Sequence, residues 1–588
     1  MNNKQKLELT WIGKDQQPKL EPRILIEDPE KSYGAKNTEN ILIHGDNLLA
    51  LKALEQDFAG KIKCIYIDPP FNTGAAFENY DDNLEHSIWL ELMRDRLNIL
   101  KELLSRDGVL FIHIDDKEMA YLKVILDEIM ERRNFLNTIV IKTSDPSGHK
   151  TVNPSPYSQT EYILMYSKDR LKYKYKQFYV ETTYDIGYNK LIINPTENYE
   201  KWKYENINEH YAKLKGFNST KEARKSFGRA GFDLMVAQFT LDNATKVFQL
   251  VAISDDAGRN IVEARNYSRN NPQKIVKITR ENYDDIYITG GRQIYFYSNK
   301  IRVIDGQKCT SKPLTNLWTD IPWNGISNEG DVKFKNGKKP EKLIKRCIEI
   351  STCPGDFVLD SFLGSGTTAA VALKMNRKWI GIEYGEHCHT HCIPRLQKVC
   401  DGTDQGGISE AVDWKGGGGF KYYYLAPSLL QQDKYGNWVI NPEYNGNMLS
   451  SAMAKQEGFR FQPDEQMYWK QGKSTEKDFI YTTTQFMTVE SLDRIHEEMQ
   501  DGESLLICCK SFSKACEGRF ININIKKIPK MLLGRCEFGK EDYSLNIINM
   551  PVDTGESEFI PKGPDKKKII KNDSANPDLF SDYAGGDK

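Results

Sequence analysis

Two short runs carry residues whose types and spacing suit chemistry on a flat, nitrogen-bearing ring. The first is Asp68-Pro69-Pro70-Phe71, which closes the β-rich stretch KIKCIYI. Two consecutive prolines remove two N–H donors and stiffen the chain, so the Asp68 carboxylate and the Pro69 carbonyl can both be held as acceptors. Phe71 adds an apolar face. Two acceptors beside a ring are what an exocyclic amine needs: one acceptor for each amino hydrogen and a surface on which its base can stack. The bland alternative is a proline-rich turn with a capping Asp.

The second run is LDSFLGSGTT, residues 359–368. A strand ending in Asp360 leads through Gly364 and Gly366 into a helix that starts near Thr367. Such a turn lets a ligand approach the backbone closely and presents free N–H groups to it. It lacks the third glycine of a dinucleotide fingerprint and the lysine of a P-loop. Glu383 ends the next strand, KWIGIE, where a carboxylate can accept hydrogen bonds from ribose hydroxyls. Acids at two successive strand ends point to a ligand that contains adenosine.

These runs need a sheet to position them. ILIHGDNLLALKAL (41–54) reads as strand, Gly-Asp turn and helix, and Ile88 to Leu104 as a helix broken by Gly108. VLFIHID (109–115) reads as a strand, followed by a helical stretch from Glu118 to Arg132. PEKLIKRCIEIS, FVLD, TTAAVALKMNR and KWIGIE repeat the alternation. Alternating β and α segments predict a mostly parallel α/β sheet with helices on its faces. Residues 140–330 are irregular, rich in Tyr and Asn, and without long periodic helices. Within them, 201–230 holds eight Lys/Arg against three acids, among them Lys221, Arg224, Lys225 and Arg229; a basic patch for phosphates and a solvated face are both open readings.

The whole chain has 588 residues and a formal net charge of −1, which excludes a uniformly basic nucleic-acid coat. No run approaches the roughly 18 apolar residues of a membrane span, and the opening residues contain no export signal. Eleven thinly spread cysteines fit a reducing compartment, so the expected location is the cytoplasm.

The pair DPPF and LDSFLGSGTT resembles the DNA amino-methyltransferases. The order, with DPPF before the cofactor glycines and a long module between, resembles the β group of adenine-N6 enzymes. GDNLLALKAL, LWTDIPWN, KKPEKLI, TEYILMYSK and GGGGFKYYYL are closest to the modification (Mod) subunits of type III restriction–modification systems, over about residues 5 to 425. The resemblance implies a doubly wound, Rossmann-like α/β fold of seven strands, circularly permuted, and S-adenosylmethionine as cofactor. It places Asp68, Pro69, Pro70 and Phe71 on a flipped adenine, and Asp360, Phe362, Gly364, Gly366 and Thr367 around the methionine end of the cofactor. Glu383 falls on its ribose, Asp46 on its adenine, and Lys339, Pro340 and Glu341 near its methionine end.

It further implies an N-terminal arm (1–35), a catalytic half (36–139), a target-recognition domain (140–330), a cofactor half (331–425), a small C-terminal α/β domain (426–560) and a disordered tail (561–588). Double-stranded DNA is the expected substrate, a homodimer the expected assembly, and a separate ATPase/nuclease restriction subunit the expected partner. Cytosine N4, RNA or a protein amide as substrate, a solitary or other phage-defence role, and a binding-only specificity subunit stay open. No metal is expected: EHCHTHC (386–392) lacks the paired spacing of structural zinc sites, and GKST (472–475) lacks the first glycine of a P-loop.

Overall fold

Strand positions follow the runs of β-branched and aromatic residues, and they gather into one eleven-stranded sheet. The computed structural model describes residues 8–11, 13–71, 86–145, 156–281, 283–332, 334 and 337–543; the expected tail, 561–588, lies outside them. The sheet contains β1 (Leu25–Glu27), β2 (Tyr33–Gly34), β3 (Ile41–His44), β4 (Ile62–Ile67), β5 (Leu104–Ile114), β6 (Phe135–Lys142) and β7 (Thr160–Ser167). It is completed by β8 (Leu317–Trp318), β9 (Phe357–Asp360), β10 (Lys378–Glu383) and β11 (Gly419–Leu425). The order is β1-β11-β3-β10-β9-β4-β5-β7-β6-β8, with β2 paired to β11. From β3 to β5 all neighbours are parallel; β7 is antiparallel to both of its neighbours.

Strand β4, IKCIYI, is buried along almost its whole length and stops where Pro69 and Pro70 can no longer donate to a ladder. Helices pack on the sheet: α1 (Asn47–Phe58), α2 (His86–Leu103), α3 (Asp116–Ile129), α4 (Glu341–Ser351), α5 (Thr367–Lys374) and α6 (Ile393–Asp401). Every residue of α5 is buried, Lys374 included. Its ammonium lies 2.9 Å from Glu341 and 2.8 Å from Asp404, and Arg395 meets the same Glu341 at 2.8 Å. This buried cluster ties α4, α5 and α6 together behind the cofactor loop. Glu341, expected near the cofactor's methionine end, therefore belongs to the core.

Two expectations are corrected. Gly108 does not end α2, which stops at Leu103; it lies inside β5, where the register with β4 shifts and an added Cβ would stand 2.9 Å from the Ile62 carbonyl. The strand Thr160–Ser167, placed by the 140 boundary in the recognition module, pairs with β5 and β6 in the central sheet. The inserted module thus follows it, with a six-stranded and a three-stranded antiparallel sheet. It also contains four helices, Ile207–Leu214, Thr220–Phe227, Arg229–Asp242 and Arg259–Asn270, where no long periodic helix was expected. Ile207–Leu214 and Thr220–Phe227 have eight residues each and Arg259–Asn270 is mostly polar, whereas Arg229–Asp242 has fourteen residues and buries Phe232 and Val236.

Beyond the central sheet, Arg460–Phe461, Gly472–Thr475, Asp478–Met487, Ser504–Phe512 and Ile523–Lys527 form a five-stranded sheet. GKST is a strand of its hairpin rather than the start of a helix. Among the described residues, no helix is long and apolar enough to cross a membrane.

Candidate active site

Because β4, β9 and β10 are parallel neighbours, their C-terminal ends open on one edge of the sheet, where open α/β sheets bind ligands. Asp68 follows β4, Asp360 ends β9 and Glu383 ends β10. The sheet therefore brings together the Asp68-Pro69-Pro70-Phe71 turn and the glycine turn, which lie almost 300 residues apart in the chain.

The Asp68 turn is held from below. Trp89 Nε1, on α2, donates to the Pro70 carbonyl at 2.8 Å, and Pro69 is buried. Asp68 Oδ1 lies 3.2 Å from Lys339 Nζ. That ammonium also lies 3.7 Å from Glu161 Oε2 and 4.5 Å from the centre of the Phe71 ring. His113, fully buried on β5, has Nε2 2.6 Å from Glu161 Oε2 and shares a hydrogen bond of 2.9 Å between Nδ1 and the Tyr66 hydroxyl. Its Nδ1 is 4.0 Å from Asp68. Phe71 and Trp323 flank the His113 ring at 5.8 and 6.4 Å.

Burial raises the Asp68 carboxyl above the ordinary aspartate range, while Lys339 and His113 pull it back down. Burial acts on Glu161 in the same sense, but Lys339 and His113 outweigh it and hold that carboxyl at about 2. Lys339 is depressed by burial and raised further by its two carboxylates, for a net rise. Two acids and a cation thus share one partly closed site, and the cation leans over the ring expected to stack on a base. Lys339, expected at the cofactor's methionine end, is the counter-ion of Asp68.

In the glycine turn, Gly364 and Gly366 take φ of +57° and +79°, the left-handed region that favours glycine. Gly366 is the cap from which α5 starts. Asp360 accepts from Phe362 N at 2.9 Å and from the Thr368 hydroxyl at 2.6 Å; its burial pushes the carboxyl up to about 7. Glu383 accepts from Gly364 N at 2.7 Å, Tyr384 N at 2.8 Å and Gly385 N at 3.1 Å, so it shapes the glycine turn from the next strand. Phe362 and Thr367 are buried beneath the turn.

Asp46, expected on the cofactor's adenine, is the cap of α1. Its side chain has no exposed surface; Oδ1 caps α1 through Leu49 N at 2.9 Å and Oδ2 accepts from Tyr543 N at 3.0 Å. In the EHCHTHC run, Cys388 and Cys392 are buried thiols, and His387 Nε2 lies 2.9 Å from Glu383. His389 and Glu386 come together with His44, their ligand atoms within 4.8 Å of one another. The two rings are also hydrogen-bonded elsewhere, His44 to the Tyr384 carbonyl and His389 to the Tyr422 hydroxyl.

The spacing argument missed His113 and Glu161. The signal for both was a charged or titratable side chain in an otherwise apolar strand, VLFIHI and TEYILMYS.

In the inserted module, Lys221, Lys225 and Arg229 are exposed, whereas Arg224 pairs with Asp233 at 2.8 Å and lies over the Phe232 ring.

A family model described as DNA methylase matches residues 62–393. The chain is 37% identical over 413 residues to the Probable type III restriction-modification enzyme HindVI Mod subunit of Haemophilus influenzae, covering 66% of this chain and 54% of that one. It is 28% identical over 434 residues to the EcoPI Mod subunit of Escherichia phage P1, covering 64% and 62%. The chain thus spans between half and two thirds of the length of these curated relatives. Among solved structures, the M1.HpyAVI–SAM complex matches at 16% identity with a TM-score of 0.29, over 60% of this chain and 98% of that one.

Proposed function

The chain belongs to the DNA methylase family of N6/N4 methyltransferases, and we propose on that premise that it methylates adenine N6 in duplex DNA as the modification subunit of a type III restriction–modification system. The observation that carries the reading is the Asp68-Pro69-Pro70-Phe71 turn, set two strand ends from Glu383 on the same edge of the sheet as the glycine turn. We read the run β3-β10-β9-β4-β5-β7-β6 as the seven-stranded methyltransferase fold in permuted form.

S-adenosylmethionine fits the residues present. The glycines at positive φ keep side chains out of the turn between β9 and α5, and carboxylates end both β9 and β10. Gly364, Gly366 and Asp360 would hold its methionine end and Glu383 its ribose. When bound, it supplies an electrophilic methyl group on sulfur.

Asp68 and the Pro69 carbonyl accept the two hydrogens of the target amine. The amine's lone pair is delocalised into its ring, and those two hydrogen bonds favour a more tetrahedral nitrogen as its new bond to carbon forms. The stabilisation is made mainly in the transition state. An adenine inside a duplex cannot reach Asp68, so it must flip out at a cost of a few kcal/mol. Stacking on Phe71 offsets about 1–3 kcal/mol of that. Lys339 favours the ionised form of Asp68 against its burial, and Glu161, paired with His113, holds Lys339 in place. The module that follows β7 reads base edges, with Lys221, Lys225 and Arg229 on phosphates and Arg224 committed in part to Asp233. A second copy of the chain and a restriction subunit belong to the same reading.

The test is transfer of a labelled methyl group from S-adenosylmethionine to duplex DNA by the purified chain, followed by digestion to nucleosides. Label in N6-methyladenine supports the reading. Label in N4-methylcytosine moves the substrate, and label in neither base contradicts it.

A further inference from the structure

Imidazole and carboxylate side chains converge a second time just past the catalytic edge. Strands β3 and β10 are parallel, with His44 in register with Glu383. The chain leaves β10 through Tyr384 and Gly385 into Glu386, so the EHCHTHC run begins beside the end of β3. Its three histidines then part company. His387 turns back to Glu383 and His391 meets the Phe334 ring at 5.4 Å, while His389 crosses to His44, the ring centres 4.5 Å apart.

One ligand atom from each of His44, Glu386 and His389 lies within 4.8 Å of the other two. An ion at the centre of three such atoms stands at most about 2.8 Å from each, against the 2.0–2.2 Å of zinc–imidazole and zinc–carboxylate bonds. Shifts of under about 1 Å close that difference, and the Glu386 side chain, 86% exposed, can swing to make its share. Both rings also have the outer hydrogen bond that orients a metal-bound imidazole. His44 Nε2 lies 3.1 Å from the Tyr384 carbonyl; a carbonyl only accepts, so that nitrogen carries the proton and Nδ1 the lone pair. His389 Nε2 lies 2.8 Å from the Tyr422 hydroxyl, and Nδ1 faces Glu386 Oε2 at 3.3 Å. With the Nε2 proton donated to Tyr422, the His389 lone pair is on the Glu386 side. Two neutral imidazoles and one carboxylate carry a single negative charge, and nitrogen donors suit zinc-class ions better than magnesium or calcium. The thiols of the run are committed elsewhere: Cys388 and Cys392 are buried, and Cys392 donates to the Gly364 carbonyl at 3.0 Å.

We propose that His44, Glu386 and His389 bind one zinc-class divalent ion, with water completing its coordination, and that the ion staples the segment after β10 to the end of β3. The spacing of EHCHTHC by itself gives no zinc pattern because one ligand comes from a strand far earlier in the chain. The proposal stands apart from the substrate and cofactor reading given above.

The experiment is titration of the full-length protein, stripped of metal and with its thiols reduced, with Co2+ as an absorbing probe and then with excess Zn2+. One Co2+ per chain should bind with weak d–d bands and without the intense charge-transfer band of a cobalt–thiolate bond, and Zn2+ should displace it. His389→Ala should abolish that binding. Tyr422→Phe, which removes the hydroxyl that orients His389, should weaken it about tenfold. Glu386→Gln alters only an exposed side chain, so it guards against loss of fold, and it should weaken binding as well. Zn2+ should raise the melting temperature of the wild-type chain and leave that of His389→Ala unchanged. A wild-type chain that binds no Co2+, a thiolate charge-transfer band, undiminished binding in Glu386→Gln, or equal rises in melting temperature with and without His389 each overturns the proposal.

Discussion

At the scale of single residues, the site turns on how a buried acid stays useful. Asp68 is pushed toward its neutral form by burial and held back from it by Lys339, 3.2 Å away. A neutral carboxyl donates through one oxygen, whereas the target amine needs acceptors. Removing the cation should therefore raise the Asp68 pKa further. Lys339→Met should shift the acid limb of the pH profile of kcat/KM toward higher pH. A profile superimposable on that of the wild type would remove Lys339 from this role. Asp46 shows the opposite case, an acid drawn into the fold: the sequence GDNLLAL carries both the signature of a helix cap and that of a ligand acid, and only its three-dimensional partners separate them.

At the scale of elements, the strand–turn–helix units around both runs were legible in the sequence, because hydrophobic period and proline or glycine stops are local signals. What joins them was not. The ion cluster of Glu341, Lys374, Asp404 and Arg395 draws on four stretches of chain, and nothing in the local pattern marks Lys374 as buried in an all-buried helix. The same holds for His113 and Glu161, whose meeting depends on the antiparallel pairing of β5 with β7. Gly108 read as a helix stop because a glycine inside a strand bulge looks the same in one dimension. Because α5 begins at the glycine turn, its packing sets the turn. Lys374→Met leaves Asp404 without that buried partner and should cost about 3–5 kcal/mol, read as a lower denaturant midpoint; a change below about 1 kcal/mol, the scale of a surface pair, would contradict the buried-cluster account.

At the scale of the molecule, the proposed function has one near-neutral chain bind a polyanion, which requires its charge to be distributed unevenly. The exposed Lys221, Lys225 and Arg229 lie in the inserted module, away from the acids of the catalytic edge in sequence. Reversing Lys221 and Lys225 to Glu should weaken DNA binding and lower the slope of log affinity against log salt by about 2, one for each phosphate that is no longer neutralised. An unchanged slope would take the patch out of the interface. The α/β class and the placing of Asp68, Asp360 and Glu383 at strand ends were legible in the sequence, while the limits of the inserted module were not, because the strand Thr160–Ser167 is apolar enough to belong to either side of that boundary. The central claim is that Asp68 stands at the methyl-transfer centre of a DNA adenine methylase. It is tested most directly by expressing the chain and its Asp68→Ala variant in a host that lacks adenine methylation, and mapping modified bases across the host genome by single-molecule sequencing. The account predicts N6-methyladenine confined to one short sequence motif in the wild-type sample and none in the variant. Equal modification in both samples, or modification of another base, would contradict it.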